Sequence, residues 1–318
     1  MTGVPDVVRQ IIIDTDPGVD DAIAILLAFA WPELEVVGLT AVAGNVPLHL
    51  TEANARRICE LAHRRDALVF AGCAQPLNRP LRTATIAHGE TGLNGAVLPA
   101  PSMQPQPRHA VDWLIERILA AGERELTICA LGPLTNLATA FRRDPRLPGR
   151  LREIVIMGGA GENGGNVTPV AEFNIHVDPE AAEIVFKCGC PITLVPLDLT
   201  QQVIITRERM SEIKKLDSAV GRTVTGLLEF YNGFDSGRRE RESDALHDPC
   251  VIAYLLWPEL FAARNRKVTI EIRDVPDIGR TILDGAGDAL KLANCKVLER
   301  VDASRLFERL LERLGRYR

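Results

Sequence analysis

The sequence predicts an α/β protein built on an open, mostly parallel, Rossmann-like sheet with helices on both faces. Short β-branched runs alternate with helical patterns along most of the chain. Those runs are continuously apolar, the mark of strands buried on both faces. Eight clean strand–helix units, which a closed barrel would need, are not visible, so the sheet is expected to be open. No Pro/Ser-rich linker or internal repeat divides the sequence, and residues 1–318 are expected to form a single domain.

Val7–Ile13 gives the first expected strand and Val19–Ala30 the first helix, followed by a strand at Leu34–Val42 and a helix at Leu48–Ala62. Further strands are expected at Ala67–Ala71, Leu126–Leu131, Ile154–Met157 and Ile192–Leu197, with helices near 109–121, 134–142 and 179–188. The second half is less regular. Helical patterns cover 207–235 and 246–257, and short strands are expected at 267–272, 280–283 and 295–300. Leu306, Phe307, Leu310, Leu311 and Leu314 recur at helical spacing and are expected to pack into the core. Two polar stretches, 72–108 and 231–247, fit no element and read as binding loops.

Composition narrows the function. The 318 residues are 46% hydrophobic and 25% charged, ordinary values for a globular protein. A net charge of −5 argues against a nucleic-acid binder. Arg238, Arg239 and Arg241 are interleaved with Asp235, Glu240 and Glu242, as on a solvated face. The seven cysteines are scattered with no CxxC pair, and Cys188-Gly-Cys190 has the wrong spacing for a zinc site. No apolar run approaches the length of a membrane span, and a cytoplasmic location is expected.

The chemistry is concentrated at Asp14-Thr15-Asp16-Pro17-Gly18-Val19-Asp20-Asp21. This segment follows an apolar strand and opens a helix, so it lies at the carboxyl edge of the sheet, where open α/β folds bind ligands. Acids in a first helical turn are ordinary on dipole grounds, which accounts for Asp20 and Asp21 but not for Asp14 and Asp16. So many carboxylates this close repel unless a cation or protons neutralise them, and a hard divalent ion with oxygen ligands is the economical answer. An EF-hand is excluded, because its closing carboxylate would fall on Ile25. A magnesium-dependent phosphatase of the haloacid dehalogenase type, with Asp14 as nucleophile and Asp16 as acid/base, is a rival reading.

The Asp14–Ala22 segment resembles the signature of the inosine–uridine-preferring nucleoside hydrolases. Gly44-Asn45, His88-Gly89-Glu90-Thr91-Gly92, Leu131-Gly132-Pro133-Leu134-Thr135-Asn136, Met157-Gly158-Gly159, Glu172-Phe173-Asn174 and His247-Asp248-Pro249 resemble further blocks of the same family, in order. The resemblance implies calcium-dependent hydrolysis of the N-glycosidic bond of ribonucleosides. It implies that Asp16, Asp21, Asp248 and the carbonyl of Leu131 hold the ion, with Leu131 standing where many members have Thr. It also implies that Asp16 takes the proton from a water whose pKa the ion has lowered.

Ribose hydroxyls donate and accept, and so call for carboxylates and amides. The matching residues are Asp20, Asn45, Asn166, Glu172 and Asn174, with Asn166 and Glu172 expected at the 5′-hydroxyl. Met157 is expected either in the core or beneath the ribose, and His88 at the mouth of the pocket. His247 is the expected proton donor to the leaving base, while Tyr231 and Phe234 are candidates for stacking on it. The remaining alternative is a nucleoside- or ribose-binding protein that has lost the chemistry. The resemblance further implies a homodimer or homotetramer with a small-molecule ribonucleoside as substrate and neither nucleic acid nor membrane as partner.

Overall fold

The computed structural model describes residues 8–231, 245–273, 276–285 and 291–317. Strand β1 (Arg9–Thr15) leads through helix α1 (Val19–Phe29) to β2 (Leu34–Ala41), and through α2 (Leu48–Leu61) to β3 (Val69–Ala71). A long connection holding the single turn α3 (Thr85–His88) precedes α4 (Ala110–Ala120), β4 (Thr127–Ala130), α5 (Thr135–Arg143) and α6 (Leu147–Arg150). Then come β5 (Glu153–Met157), α7 (Phe173–Val177), α8 (Pro179–Phe186), β6 (Ile192–Val195) and α9 (Leu197–Thr200). The chain continues through α10 (Arg207–Lys214), α11 (Ala219–Tyr231), α12 (Pro249–Leu256), β7 (Phe261–Ile270), β8 (Thr281–Asp284), β9 (Cys295–Val301) and α13 (Ala303–Leu314).

Among the described residues the strands form one sheet in the order β3-β2-β1-β4-β5-β6-β9-β7-β8. The pairs from β3 to β9 are parallel, and β7 runs antiparallel to both β9 and β8. The first six positions reproduce the Rossmann order, and the expected open, mostly parallel sheet is present.

Strand alternation explains why the apolar runs are continuous. Ile11 and Ile13 of β1 face one core with Cys129, Val155 and Val195, packed under α1, α2, α11, α12 and α13. Ile12 faces the opposite core with Ile128, Ile154, Ile156 and Leu194, under α4, α5 and α8. Because both faces are covered, consecutive positions in the middle of β1, β4, β5 and β6 are buried and no period-two pattern survives there. Helix α1 is buried on nearly all sides, Val19 through Ala28, which accounts for its uniformly apolar sequence after the acids. The expected C-terminal stripe is also core, with Leu306, Phe307, Leu310 and Leu314 buried and Leu311 half-buried.

Two expectations change. The helical pattern at 207–235 is two helices, broken after Lys214. Ser218 Oγ accepts the Gly221 backbone N–H at 3.0 Å, the bond a capping serine makes, and Gly221 lies flush against the Leu216 carbonyl. The strand expected at 267–272 starts at Phe261, because Ala262 through Asn265 are exposed and polar in part yet still pair with β9. Phe234, the Arg238–Arg241 cluster, the end of the expected helix at 232–235 and most of the 231–247 loop lie outside the described residues. All seven cysteines are free, five of them buried, as small hydrophobes.

Candidate active site

The chain leaves β1 toward β2 and β3 on one side and later fills β4, β5 and β6 on the other. The sheet's switch point therefore lies between the carboxyl ends of β1 and β4, where a crevice opens. Asp14 and Asp16 sit at the end of β1, Asp20 and Asp21 in the first turn of α1, and Leu131 just beyond β4. The Leu131 N–H donates to the Asp14 carbonyl at 2.7 Å, locking the two strand ends together.

Asp14 is structural. Its Oδ1 accepts Thr40 Oγ1 at 2.5 Å and Asn136 Nδ2 at 2.8 Å, while Asn136 Oδ1 takes the Cys73 N–H at 2.8 Å. Burial pushes the Asp14 carboxyl up to about 6 against the help of these donors. Asp14 Oδ2 is buried with no hydrogen-bond partner among the described residues. Asp16 shares that feature: its Oδ2 accepts the Asn45 N–H at 2.7 Å, and its Oδ1 is buried with no hydrogen-bond partner among the described residues. Gly44 and Gly132 flank this carboxylate so closely that a Cβ at Gly132 would fall 2.5 Å from Asp16 Oδ1. A side chain at either position would collide with Asp16.

Asp21 accepts Thr15 Oγ1 at 2.5 Å, the Gly18 N–H at 2.9 Å and Asn45 Nδ2 at 3.1 Å. Asp248 stands at the head of α12 without capping it, so its carboxylate is spent on the crevice. Asp20, Asp21 and Asp248 offer oxygens that all lie within 4.8 Å of one another. Burial raises all four crevice acids, Asp16 and Asp248 most of all, and their mutual repulsion raises Asp16, Asp21 and Asp248 further. Close-packed buried carboxylates with an orphaned oxygen among them are a donor set for a hard cation.

The structure draws the trio slightly differently from the expected ligand set. Asp20 joins Asp21 and Asp248, while Asp16 stands outside that trio, its carboxyl raised by burial and by the charges of Asp21 and Asp20. The Leu131 carbonyl already accepts Asn174 Nδ2 at 2.7 Å, which uses one of its two lone pairs.

The other expected residues gather around the same edge. Asn45 spends its amide group on the Asp16 carbonyl and Asp21, and it is buried. Glu172 caps α7, accepting the N–H groups of Asn174, Gly159 and Ile175 at 2.9, 2.9 and 3.2 Å, and burial nevertheless pushes it up to about 7. Asn174 also donates to the Met157 carbonyl at 3.2 Å and approaches Met157 Sδ. Met157 is buried in the core cluster, on the strand that packs against α12. Asn166 is exposed, its Oδ1 holding the Phe173 N–H at 2.9 Å.

Two buried histidines complete the edge. His88 Nδ1 accepts the Val19 N–H at 3.1 Å, so its proton rests on Nε2, and its ring lies 5.5 Å from that of Tyr231. Burial depresses His88 to about 4. His247 Nδ1 lies 2.7 Å from Thr200 Oγ1; burial lowers the pKa of this imidazole, and the nearby charge of Asp20 offsets that only in part.

Thr40, Asn136, Asp198 and Thr200 were not singled out from the sequence. Asn136 belongs to the Leu131–Asn136 motif, but nothing in the others' local sequence marks them, because their roles are set by neighbours distant along the chain.

With this geometry in view, the chain belongs to the inosine-uridine preferring nucleoside hydrolase family, whose profile matches residues 11–308. It is therefore a ribonucleoside hydrolase, and the phosphatase reading is overturned. It is 44% identical over 310 residues to a pyrimidine-specific ribonucleoside hydrolase RihA of Photobacterium profundum, covering 97% of this chain and 99% of the relative. Among solved structures, a plant nucleoside hydrolase superposes with a TM-score of 0.90 at 35% identity, covering 97% of this chain and 99% of that one. A purine-preferring ribonucleoside hydrolase from Gardnerella vaginalis superposes with a TM-score of 0.89 at 29% identity, covering 96% and 98%. Among the described residues no helix is long and apolar enough to cross a membrane.

Proposed function

We propose that the protein hydrolyses the N-glycosidic bond of ribonucleosides with calcium, giving free base and ribose, and that residues 1–318 work as one catalytic domain. The observation that carries the metal assignment is the convergence of Asp20, Asp21 and Asp248 beside the unpartnered buried oxygen of Asp16. An all-oxygen set of carboxylates with a backbone carbonyl at Leu131 suits calcium, which takes about six to eight oxygens. Asp16, Asp21, Asp248 and the Leu131 carbonyl would hold the ion, with Asp20 at its border with the sugar. When bound, calcium neutralises these charges and lowers the pKa of a coordinated water.

Asp16 accepts the proton of the attacking water as general base. Its neighbours Gly44 and Gly132 keep that carboxylate fixed, so little reorganisation accompanies the transfer. Asp20, Asn45, Asn166, Glu172 and Asn174 orient the ribose hydroxyls. Positive charge that builds on the ring as the bond to the base breaks is stabilised by the carboxylate floor. His247 gives a proton to the departing base, and His88 lines the mouth beside Tyr231.

Pyrimidine ribonucleosides are the preferred substrates on this reading. The relative named pyrimidine-specific is 44% identical, whereas the structure named purine-preferring is 29% identical. A cytoplasmic homodimer or homotetramer acting in nucleoside salvage completes the proposal. Equimolar free ribose and uracil from uridine, in buffer without phosphate, is the expected product pattern. Tight uridine binding with no ribose released would instead favour a binding protein.

A further inference from the structure

We propose that Thr200 is a positioning residue for glycosidic cleavage: its hydroxyl engages Nδ1 of His247, so that Nε2 is the ring nitrogen presented to the departing base. The inference rests on the reading above in which His247 protonates that base.

Both side chains are buried, and the Oγ1–Nδ1 separation is 2.7 Å. The other acceptor near Thr200 Oγ1 is the Leu197 carbonyl at 3.4 Å, beyond a good O–H···O distance, and it already accepts the Gln201 N–H at 2.9 Å. His247 is therefore the hydroxyl's main partner.

The anchor itself is rigid. The Leu197 N–H at the start of α9 donates to the Gly159 carbonyl at 3.0 Å, and Asp198 accepts the N–H groups of Gly161 and Asn163 at 2.6 and 3.0 Å. The Gly159 N–H in turn donates to Glu172 at 2.9 Å, so α9 is tied to the same loop that carries the expected sugar contacts. The backbone that delivers His247 is pinned to the segment following α9, with Leu246 N–H on the Val203 carbonyl at 3.0 Å and Ile204 bridged to Ala245. One short segment thus fixes His247 through both backbone and side chain.

A hydroxyl suits this task because it both donates and accepts. It holds Nδ1 as donor or as acceptor, so the contact does not depend on which ring nitrogen carries the proton. As the C1′–N bond breaks, its electron pair goes to the base and the proton on Nε2 moves to the base nitrogen. Thr200 Oγ1 holds Nδ1 throughout. The water oxygen bonds to C1′, its proton passes to Asp16 and on to solvent, and solvent restores the proton on Nε2.

The test compares Thr200→Val, Thr200→Ser and His247→Ala on uridine and on 4-nitrophenyl riboside, whose leaving group needs no proton. Thr200→Val is expected to lower kcat on uridine by about 10- to 100-fold with KM within about twofold, to spare the activated riboside, and to be rescued by Thr200→Ser. Equal effects of Thr200→Val on both substrates, or none on either, overturn the assignment while His247→Ala remains selective. Equal losses on both substrates in His247→Ala overturn the underlying reading of His247 instead. A measurement on the unaltered protein stands apart from folding of the variants: with 15N-histidine labelling, uracil should shift Nε2 of His247 and leave Nδ1 hydrogen-bonded. A shift confined to Nδ1 overturns the proposal.

Discussion

Asn174 donates its side-chain amide to the Leu131 carbonyl at 2.7 Å and to the Met157 carbonyl at 3.2 Å. One residue thus ties the ends of β4 and β5 to the segment that carries Glu172, and it touches the carbonyl proposed to face the ion. Removing it should disturb metal and sugar together. Asn174→Ala is expected to weaken calcium activation and nucleoside binding by about 10- to 100-fold, read as the calcium concentration for half-maximal rate and as KM. Unchanged values would show that the Leu131 carbonyl is held by the strand alone.

Asp16→Asn keeps an oxygen to accept the Asn45 N–H but removes the base. The expected result is a fall in kcat of about 10²- to 10⁴-fold with KM little altered. A loss below about tenfold would mean that Asp16 only shapes the site.

The buried acids make the metal-free protein sensitive to pH. Asp14 and Glu172 titrate at about 6 and about 7 in the fold, above their ordinary values of 3.8 and 4.5. Groups raised in this way give their full contribution below the ordinary carboxylate range and lose it as pH rises through 6 to 7. His88, lowered to about 4, works oppositely: its contribution is present above 6.5 and lost as pH falls toward 4. The crevice acids are raised as well, so the carboxylates outnumber it, and Tm with chelator present should fall between about pH 5 and about pH 8. Asp14→Asn, neutral at every pH, should be near neutral only below the ordinary value of 3.8, its advantage growing as pH rises from there to about 6. At the alkaline end it should be stabilising, by an amount on the order of 3 kcal/mol. A Tm that rises steadily across this range, with no relative gain for Asp14→Asn, contradicts the burial argument.

Ser218 caps α11, the helix that ends at Tyr231 beside His88. Ser218→Ala should cost about 1 kcal/mol in denaturant unfolding, with kcat nearly unchanged. A large loss of kcat would show that the helix boundary also sets the pocket mouth.

The parts legible in the sequence were those whose signal is local. The apolar runs of β1 through β6 announce a covered parallel sheet, and Asp14 through Asp21 announce a cation site at its edge. The break between α10 and α11 was hidden because apolar spacing continues across Leu216–Ser218, and only the Ser218 cap and the tight packing of Gly221 reveal it. β7 extends beyond its apolar pattern because its first half is exposed and depends on pairing with β9. Within the site, the motif marks Asp16 as a candidate. No motif marks Thr200, since its role exists only where the turn after β6 meets the segment before α12.

The most direct test of the central claim is ribose release from uridine as calcium is removed and restored. The account predicts that a chelator abolishes release, that calcium in excess recovers it, and that Asp248→Ala is inactive at any ordinary calcium level. Undiminished release from a fully chelated protein, with no calcium bound by direct analysis, would contradict it.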